Sequence, residues 1–353
     1  MSEALRVGLL GYGLAGRVFH APLIAATPGL RLDAIVTRDP QRREHARQHF
    51  PDARLVDDAD ALWRTPEALD LVVVATPNRQ HVPMARAALA AGLPTVVDKP
   101  LAPTSAESRA LVDDAAERGV PLTVFQNRRW DGDFLTARQL VERGELGRVL
   151  RFESRFERFR PTIKPGWREL AGPEEAGGAL FDLGAHLVDQ AVQLFGRVER
   201  VYAEVDRRRA GAAVDDDAFV ALTHANGVRS HLWMGAMTAQ LGPRLRLLGD
   251  RAGYTTYGLD VQEAALHEGG RPDQPGWGEV PPERYGLLGV DGDLRPVPTE
   301  PGAYQSFYAQ VTTALREGTP MPVDPRDSVA TVELIELAHR SAAEGVVLPV
   351  PIA

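Results

Sequence analysis

Along the first third of the chain, short apolar runs alternate with amphipathic stretches in which apolar positions recur every three or four residues. Apolar runs at 6–10, 30–36, 69–75, 94–98 and 121–126 predict strands, and the stretches at 80–91 and 105–118 predict helices between them. Four of the runs are almost wholly apolar, as strands covered on both faces must be. Strand, helix and strand in this order predict parallel βαβ units, and hence a doubly wound parallel sheet of the Rossmann type.

Beyond residue 126 the pattern changes. A helix is predicted over 132–143, and "GRVLRFESRFERFR" then alternates like a partly exposed strand, with charges of both signs on one face. Further strands follow in "VERVYAEVDRRR" and "AFVALTHANGVRSHLWMG". Asn226 and Gly227 at the centre of the latter are a strong hairpin signal, because both tolerate positive φ. A mostly antiparallel sheet is expected here. The stretch 258–301 is crowded with Gly and Pro and reads as a long irregular excursion of functional or interfacial character. Near the end, Asp324 as N-cap, Pro325 at the first position and Gly345 after the last turn delimit a helix. The expected division is a dinucleotide-binding domain over 1–126 and a substrate-binding and oligomerisation domain over 127–353. No internal repeat is present.

A chain of 353 residues exceeds the roughly 250–300 at which single cores stop growing, which agrees with two domains. Its formal net charge of −8 argues against nucleic acid or an anionic membrane as partner and favours a small molecule. The absence of cysteine excludes disulfides, thiol nucleophiles and Cys-ligated metals. The opening "MSEALRVGLLGYG" reads as a strand entering a turn rather than a signal peptide. No run approaches the roughly 18 apolar residues of a membrane span. A cytoplasmic location is the expectation.

The first candidate site is the turn Gly11, Tyr12, Gly13, Leu14, Ala15, Gly16, directly after an apolar strand and opening a helix. That spacing supplies a tight turn, close approach of backbone to a pyrophosphate and close packing of helix on strand. The second strand ends at Thr37 and Arg38, with Asp39 and Pro40 beginning the next helix. A hydroxyl and an Arg favour the 2′-phosphate of NADP, whereas an acidic residue there would favour NAD, which Asp39 keeps as the alternative. Ligands of open α/β sheets bind at the carboxyl ends of the strands. That places Ala75, Thr76, Pro77 and Asn78, with His81 on the following turn, along the cofactor. The next strand ends on the same edge at Asp98 and Lys99. Only two of the 40 basic residues are lysine, Lys99 and Lys164. A lysine ammonium is a compact donor whose pKa moves readily when buried, which arginine is not. Lys99 is therefore a catalytic candidate, and Lys164, in a Pro-bounded loop, reads as solvated.

In "EEAGGALFDLGAHLVDQAVQLFG", Asp182 and His186 stand four apart on one helical face, with Asp189 a turn further. A His beside a carboxylate is the usual general acid–base pair, and the apolar surroundings argue against a surface ion pair. Gly184 costs a helix about 1 kcal/mol relative to Ala, so something is expected to approach its backbone closely. No metal site is expected. The triplets Arg207 to Arg209 and Asp215 to Asp217 read as solvated faces. Asn127, Arg155, Arg158 and Trp167 are weaker candidates for shaping a substrate pocket.

Together these residues resemble the glucose–fructose oxidoreductase, inositol dehydrogenase and rhizopine catabolism (Gfo/Idh/MocA) oxidoreductases. The glycine turn, Ala75 to Asn78 with His81, Lys99 with Pro100, and Gly177 and Gly178 followed by Asp182, Gly184 and His186 carry the resemblance. "FHAPLI", "VFQNRRWDGDFLT" and "GLDVQEAAL" look most like the branch with NADP-dependent scyllo-inositol dehydrogenases. The resemblance implies a C-terminal α/β domain whose large open sheet makes dimer or tetramer contacts. It also implies that Lys99 touches substrate and nicotinamide ribose, that Asp182 binds a substrate hydroxyl, and that His186 accepts the proton. Many members have Glu before the Lys-Pro; Asp98 is one methylene shorter, which puts a cofactor contact from it in doubt.

The expected reaction is hydride transfer between nicotinamide and a secondary alcohol or ketone of an inositol-like sugar or polyol. His186 would take the proton and Lys99 would stabilise the developing alkoxide. Competing readings are a nicotinamide enzyme of another class, performing redox-assisted glycoside cleavage or imine or diol reduction, and a non-catalytic cofactor sensor. The trio Lys99, Asp182 and His186 speaks against the sensor, which needs no paired acid and base.

Overall fold

The structure is a computed structural model that describes residues 3–163, 172 and 175–351. Lys164 and Trp167 lie outside the described residues. The chain divides into two compact units. The first comprises Met1–Trp130 with Gln262–Trp277 and Ala303–Val329; the second comprises Asp131–Val261, Gly278–Gly302 and Ala330–Ala353. A single cut near residue 126 therefore does not separate them, because two C-terminal segments return to the first unit.

The first unit begins with β1 (Leu5–Leu10), a π-helical stretch Ala15–His20 continued by α1 (Ala21–Ala26), and β2 (Leu30–Val36). It continues through α2 (Pro40–His49), β3 (Arg54–Val56), α3 (Asp60–Trp63), β4 (Leu71–Val74), α4 (His81–Ala90), β5 (Thr95–Asp98), α5 (Ser105–Arg118) and β6 (Leu122–Phe125). The six strands form one sheet in the order β3-β2-β1-β4-β5-β6, with every pair parallel. This is the doubly wound sheet the apolar runs predict. Helix α5 shows why the local sequence folds as it does. The Thr104 side chain accepts from the Glu107 amide at 3.2 Å and donates to the Glu107 carboxylate at 2.9 Å, and Gly119 closes the helix at φ +64°.

In the second unit α6 (Gly132–Glu142) leads to β7 (Val149–Glu157); a π turn Leu180–Gly184 runs into α7 (Ala185–Phe195), followed by β8 (Val198–Asp206), β9 (Asp217–His224), β10 (Arg229–Gly235), β11 (Leu245–Gly249) and β12 (Gly253–Thr256). After α8 (Gln262–His267), which belongs to the first unit, come β13 (Gly286–Val290) and β14 (Asp293–Val297). Helices α9 (Gln305–Glu317) and α10 (Pro325–Glu344) and the short β15 (Leu348–Pro349) complete the chain. Nine strands form the second sheet in the order β14-β13-β12-β11-β7-β10-β9-β8-β15, antiparallel except for β7 beside β10. The excursion expected to be irregular thus supplies a helix to one unit and a hairpin to the other. In the β9–β10 turn only Gly227 takes positive φ, at +88°; Asn226 instead donates to the Phe195 carbonyl and accepts from the Val228 amide.

Side chains alternate along β7. Phe152, Ser154 and Phe156 are fully buried, and the two phenylalanines share a core with Leu180, Leu187, Val188, Ala191 and Met234. Leu180, Leu183, Leu187, Val188, Ala191 and Phe195 recur at three- and four-residue spacing, which makes the apolar face that seats this helix on the sheet. In the first unit the returning segments complete the core. Phe307 meets Phe125 edge-on at 5.0 Å between ring centroids, and the Thr123 hydroxyl donates to the Val323 carbonyl at 2.8 Å.

Candidate active site

Each glycine of the first turn answers a different steric demand. Gly11 has φ +94°, and a Cβ there would lie 2.6 Å from the Ala75 carbonyl oxygen, so both conformation and space require glycine. A Cβ on Gly16 would run into the Gly11 carbonyl oxygen, which is the close approach of helix to strand. Over Gly13 the space is open, and the nearest group is the Arg42 guanidinium at 3.8 Å. Tyr12 is buried, its hydroxyl 3.0 Å from His45 Nδ1, and burial pushes its pKa up to about 12. Leu14 is exposed and Ala15 begins the helical stretch. This backbone can receive a pyrophosphate.

At the end of β2, Thr37 is buried, its amide bonded to the Val56 carbonyl at 3.0 Å. The Asp39 carboxylate caps α2 by accepting from the Arg42 amide at 2.9 Å. The Arg38 Nε donates to the Asp57 carbonyl at 2.9 Å, and its side chain is 76% exposed. Two guanidiniums, Arg38 and Arg42, therefore stand at this edge, while the acid that would favour NAD is engaged at the helix terminus.

At the carboxyl ends of β4 and β5, Ala75 is tied to β1 through its amide and the Leu10 carbonyl at 2.8 Å. The Thr76 hydroxyl oxygen is buried without a hydrogen-bond partner among the described residues, an orphaned polar atom suited to a bound ligand. Pro77 is exposed, and Asn78, almost fully buried, opens a short helical turn. The open space over Gly13 and the orphaned Thr76 hydroxyl fit a nicotinamide dinucleotide. His81, expected as a cofactor contact, is instead a brace. Its Nδ1 lies 2.8 Å from the Pro100 carbonyl oxygen and its Nε2 2.9 Å from that of Thr76. Burial pushes its pKa below the ordinary histidine value, against the opposing pull of Asp98.

Asp98, shorter than the Glu of many members, is engaged within the first unit. One carboxylate oxygen accepts from the Lys99 amide at 2.9 Å and faces His20 Nε2 at 3.7 Å. His20, fully buried, meets the Tyr308 hydroxyl through Nδ1 at 2.6 Å. Burial pushes the Asp98 carboxyl up, but His20, His81 and Lys99 outweigh it and hold the group below its ordinary value. Its work is thus directed at the strand end that carries Lys99, which is half-buried. Asn127 is buried at the carboxyl end of β6.

In the second unit Asp182 lies in the π turn and His186 in the first turn of α7. His186 is 6% exposed and Asp189 2%, while Asp182 is half-buried, so this helix start is not a fully solvated face. The close approach expected at Gly184 is made by Leu180 Cδ1 of the preceding turn and by the Met234 sulfur of β10, which a Cβ would meet at 2.8 and 3.0 Å. Arg155 is elsewhere. It alternates with the buried Phe156 along β7 and stacks over Trp233 at 4.0 Å, on the face of the sheet turned away from α7. Arg158 follows β7, its guanidinium 4.8 Å from the Phe156 ring.

Two features escape sequence reasoning. The acidic triplet is not a solvated face. Asp216 binds the amides of Arg208 and Arg209 and pairs with the buried Arg209 guanidinium at 2.8 Å, Asp217 pairs with Arg208 at 3.2 Å, and Asp215 accepts from the Leu180 amide at 2.7 Å. The other is Arg244, whose buried guanidinium reaches Ser154 at 2.7 Å, Gln190 at 3.2 Å and Asp133 at 3.3 Å. The proximity of a charge triplet of opposite sign was the available signal for the first; nothing local marks the second. Among the described residues no cluster of metal-ligating side chains occurs and no helix is long and apolar enough to cross a membrane.

Residues 5–126 match the oxidoreductase family NAD-binding Rossmann fold and residues 138–352 the oxidoreductase family C-terminal alpha/beta domain, so the chain belongs to the Gfo/Idh/MocA family. It is 40% identical over 347 residues to the oxidoreductase YdgJ of Escherichia coli K12, covering 97% of each. It is 35% identical over 346 residues to scyllo-inositol 2-dehydrogenase (NADP(+)) IolW of Bacillus subtilis strain 168, covering 97% of this chain and 95% of the relative. The structure of the oxidoreductase YvaA of Bacillus subtilis superposes with a TM-score of 0.94 at 34% identity over 99% of each chain. The protein is an oxidoreductase with a nicotinamide-dinucleotide-binding Rossmann domain. Because YdgJ matches at least as well as IolW, the comparisons do not single out the scyllo-inositol branch.

Proposed function

We propose that the protein is an NADP(H)-dependent dehydrogenase of an inositol-like polyol or sugar, with residues 127–353 carrying substrate recognition and assembly. The observation that carries the reading is the half-buried Asp182 four residues before the buried His186 in an otherwise apolar segment, a costly arrangement for a protein that only binds a cofactor. The similarity to the scyllo-inositol 2-dehydrogenase IolW supports the substrate class. Asp39 engaged as a helix cap, with Arg38 and Arg42 exposed beside it, supports NADP over NAD.

The nicotinamide, when bound, supplies the two-electron acceptor or donor. Gly11 to Gly16 would hold its pyrophosphate, Thr37, Arg38 and Arg42 its adenosine end, and Ala75 to Asn78 its central part. Asp182 would accept a hydrogen bond from a substrate hydroxyl and orient the ring. His186 would take the proton of the reacting hydroxyl, and the Lys99 ammonium would stabilise negative charge on that oxygen as the proton leaves. His81 and Asp98 keep the Thr76 and Lys99 strand ends in place.

Reduction of NADP+ and NAD+ in parallel across inositol isomers, aldoses and other polyols, followed by absorbance of the reduced cofactor, tests this reading. Turnover with NADP+ on a polyol is expected. Silence with both cofactors, in protein that binds one of them, would move the assignment to the sensor. A homodimer or homotetramer through the outer face of the nine-stranded sheet is also proposed. Trp233 and Phe219 stand there with rings 5.1 Å apart, and sedimentation of the Trp233→Glu variant as a monomer is the expected result.

A further inference from the structure

The helix that carries Asp182 and His186 is fastened to its sheet at two points on one strand pair. Ahead of β9, Asp215 meets the start of the helix twice: its carbonyl accepts from the Ala179 amide at 2.9 Å and its carboxylate from the Leu180 amide at 2.7 Å. On β10, the partner of β9, the Met234 sulfur lies against Gly184. The two fastenings bracket Asp182 in sequence, and the Asp182 amide itself bonds to the Gly178 carbonyl at 3.0 Å.

The fit at the first fastening is tight. Gly178 has φ +97°, and a Cβ there would collide with the Asp215 carboxylate, so the second glycine of the Gly177–Gly178 pair leaves room for this side chain. Asp215 is 8% exposed, and its carboxylate supplies a side-chain cap that the residues next to the helix start do not, since no local side chain caps the π turn. His339 of α10 acts electrostatically on Asp215, and its ring stacks on Phe181 at 5.5 Å and 30°. A carboxylate held at a helix N-terminus is favoured by the helix dipole.

We infer that Asp215 is a positioning residue for the reaction: from the strand side it holds the first turn of the helix so that Asp182 and His186 keep their register. The inference rests on the reading of Asp182 and His186 as the substrate-handling pair. Asp215 touches neither substrate nor cofactor in this account.

The test uses the full-length protein and the variants Asp215→Ala, Asp215→Asn and, as control, Asp217→Ala, measured for kcat, KM, NADPH affinity and thermal midpoint. A misplacement near 1 Å at a catalytic group costs about 100-fold, so Asp215→Ala is expected to lose about 10- to 100-fold in kcat. Its NADPH affinity should change by less than about twofold, as for a surface substitution. Asp215→Asn keeps an oxygen that can accept from the Leu180 amide and is expected to recover most of kcat; Asp217→Ala should match the parent. Unchanged kcat in a folded Asp215→Ala, or kcat and NADPH affinity lost in proportion, overturns the inference. If Asp215→Ala does not fold, the Asn variant decides: kcat nearer the parent than that of Asp215→Glu, whose longer side chain lacks room beside Gly178, supports it, and the reverse order overturns it. If the parent turns over none of the polyol panel, the reading of the pair has failed separately. Amide exchange then decides the fastening: faster exchange confined to Leu180 and its neighbours in Asp215→Asn supports it, and unchanged exchange overturns it.

Discussion

Removing the two guanidiniums at the end of β2 should change which nicotinamide dinucleotide binds. Arg38 is 76% exposed, with Nε on the Asp57 carbonyl and one terminal nitrogen 3.9 Å from the Asp58 carboxylate, a loose exposed pair that a phosphate can replace; Arg42 is 52% exposed and its guanidinium is the group nearest the space over Gly13. A hydrogen bond to a charged group contributes about 1.5–3 kcal/mol, and exposure to water and salt reduces that to about 1–2 kcal/mol for each guanidinium. At about 1.4 kcal/mol per tenfold, Arg38→Ala or Arg42→Ala alone should raise the Kd for NADPH about 5- to 30-fold. Together they should raise it further than either alone, but because both act on the same 2′-phosphate the two losses couple and do not simply multiply. NADH lacks the 2′-phosphate, so its Kd should move by less than about threefold. Fluorescence titration of each variant with both cofactors, at low and high salt, measures this directly. Equal losses for NADPH and NADH would refute the reasoning, as would a parent protein that binds NADH more tightly than NADPH.

Lys99→Arg should keep cofactor binding and lose most turnover, since the planar guanidinium cannot replace a compact ammonium beside the reacting oxygen; unchanged kcat removes Lys99 from the mechanism. Gly16→Ala should cost about 1–3 kcal/mol by driving a methyl into the Gly11 carbonyl, read as a thermal midpoint several degrees lower together with weaker NADPH binding. Burial holds His81 and His224 below the ordinary histidine pKa, so the unfolded chain takes up protons that the folded chain refuses. Stability should therefore fall as pH drops below about 6.5, and the midpoint should decline between about pH 7.5 and 5.5. His224→Gln should show a shallower decline, and an identical slope in parent and variant would exclude His224 as a source.

What was legible in the sequence is what local physics encodes. Gly11 and Gly16 meet conformational or steric demands that a side chain would break, and Gly13 leaves open the space above it, so their spacing alone announces the turn. The strands of the parallel sheet are apolar because both their faces are covered, and Leu71–Val74 is buried throughout. β3 gave no such signal, being three residues long with Arg54 exposed. The β13–β14 hairpin was hidden for a similar reason: β14 is an edge strand with four of five residues exposed and a proline at 296, so nothing alternates. At the site, Lys99, Asp182 and His186 stood out by rarity and spacing. The brace formed by His81, the attachment of Asp98 to His20, and the capping by Asp215 depend on partners that distant segments bring, and the face of the sheet on which Arg155 stands depends on which side the helix covers.

The return of the C-terminal segments to the first unit governs how the protein can be made. All six strands of the parallel sheet have left the ribosome once Phe125 has emerged, yet Phe307, Tyr308, Val311 and Val323, which lie in the same core, follow much later in the chain. His20 waits as long for the Tyr308 hydroxyl. A nascent chain therefore carries the parallel sheet with an unfilled apolar side until residues 303–329 have been made, so the first unit cannot close before most of the second has been synthesised. The same dependence makes residues 1–126 a poor choice for isolation as a fragment, since the cut removes the side chains that seal the fold.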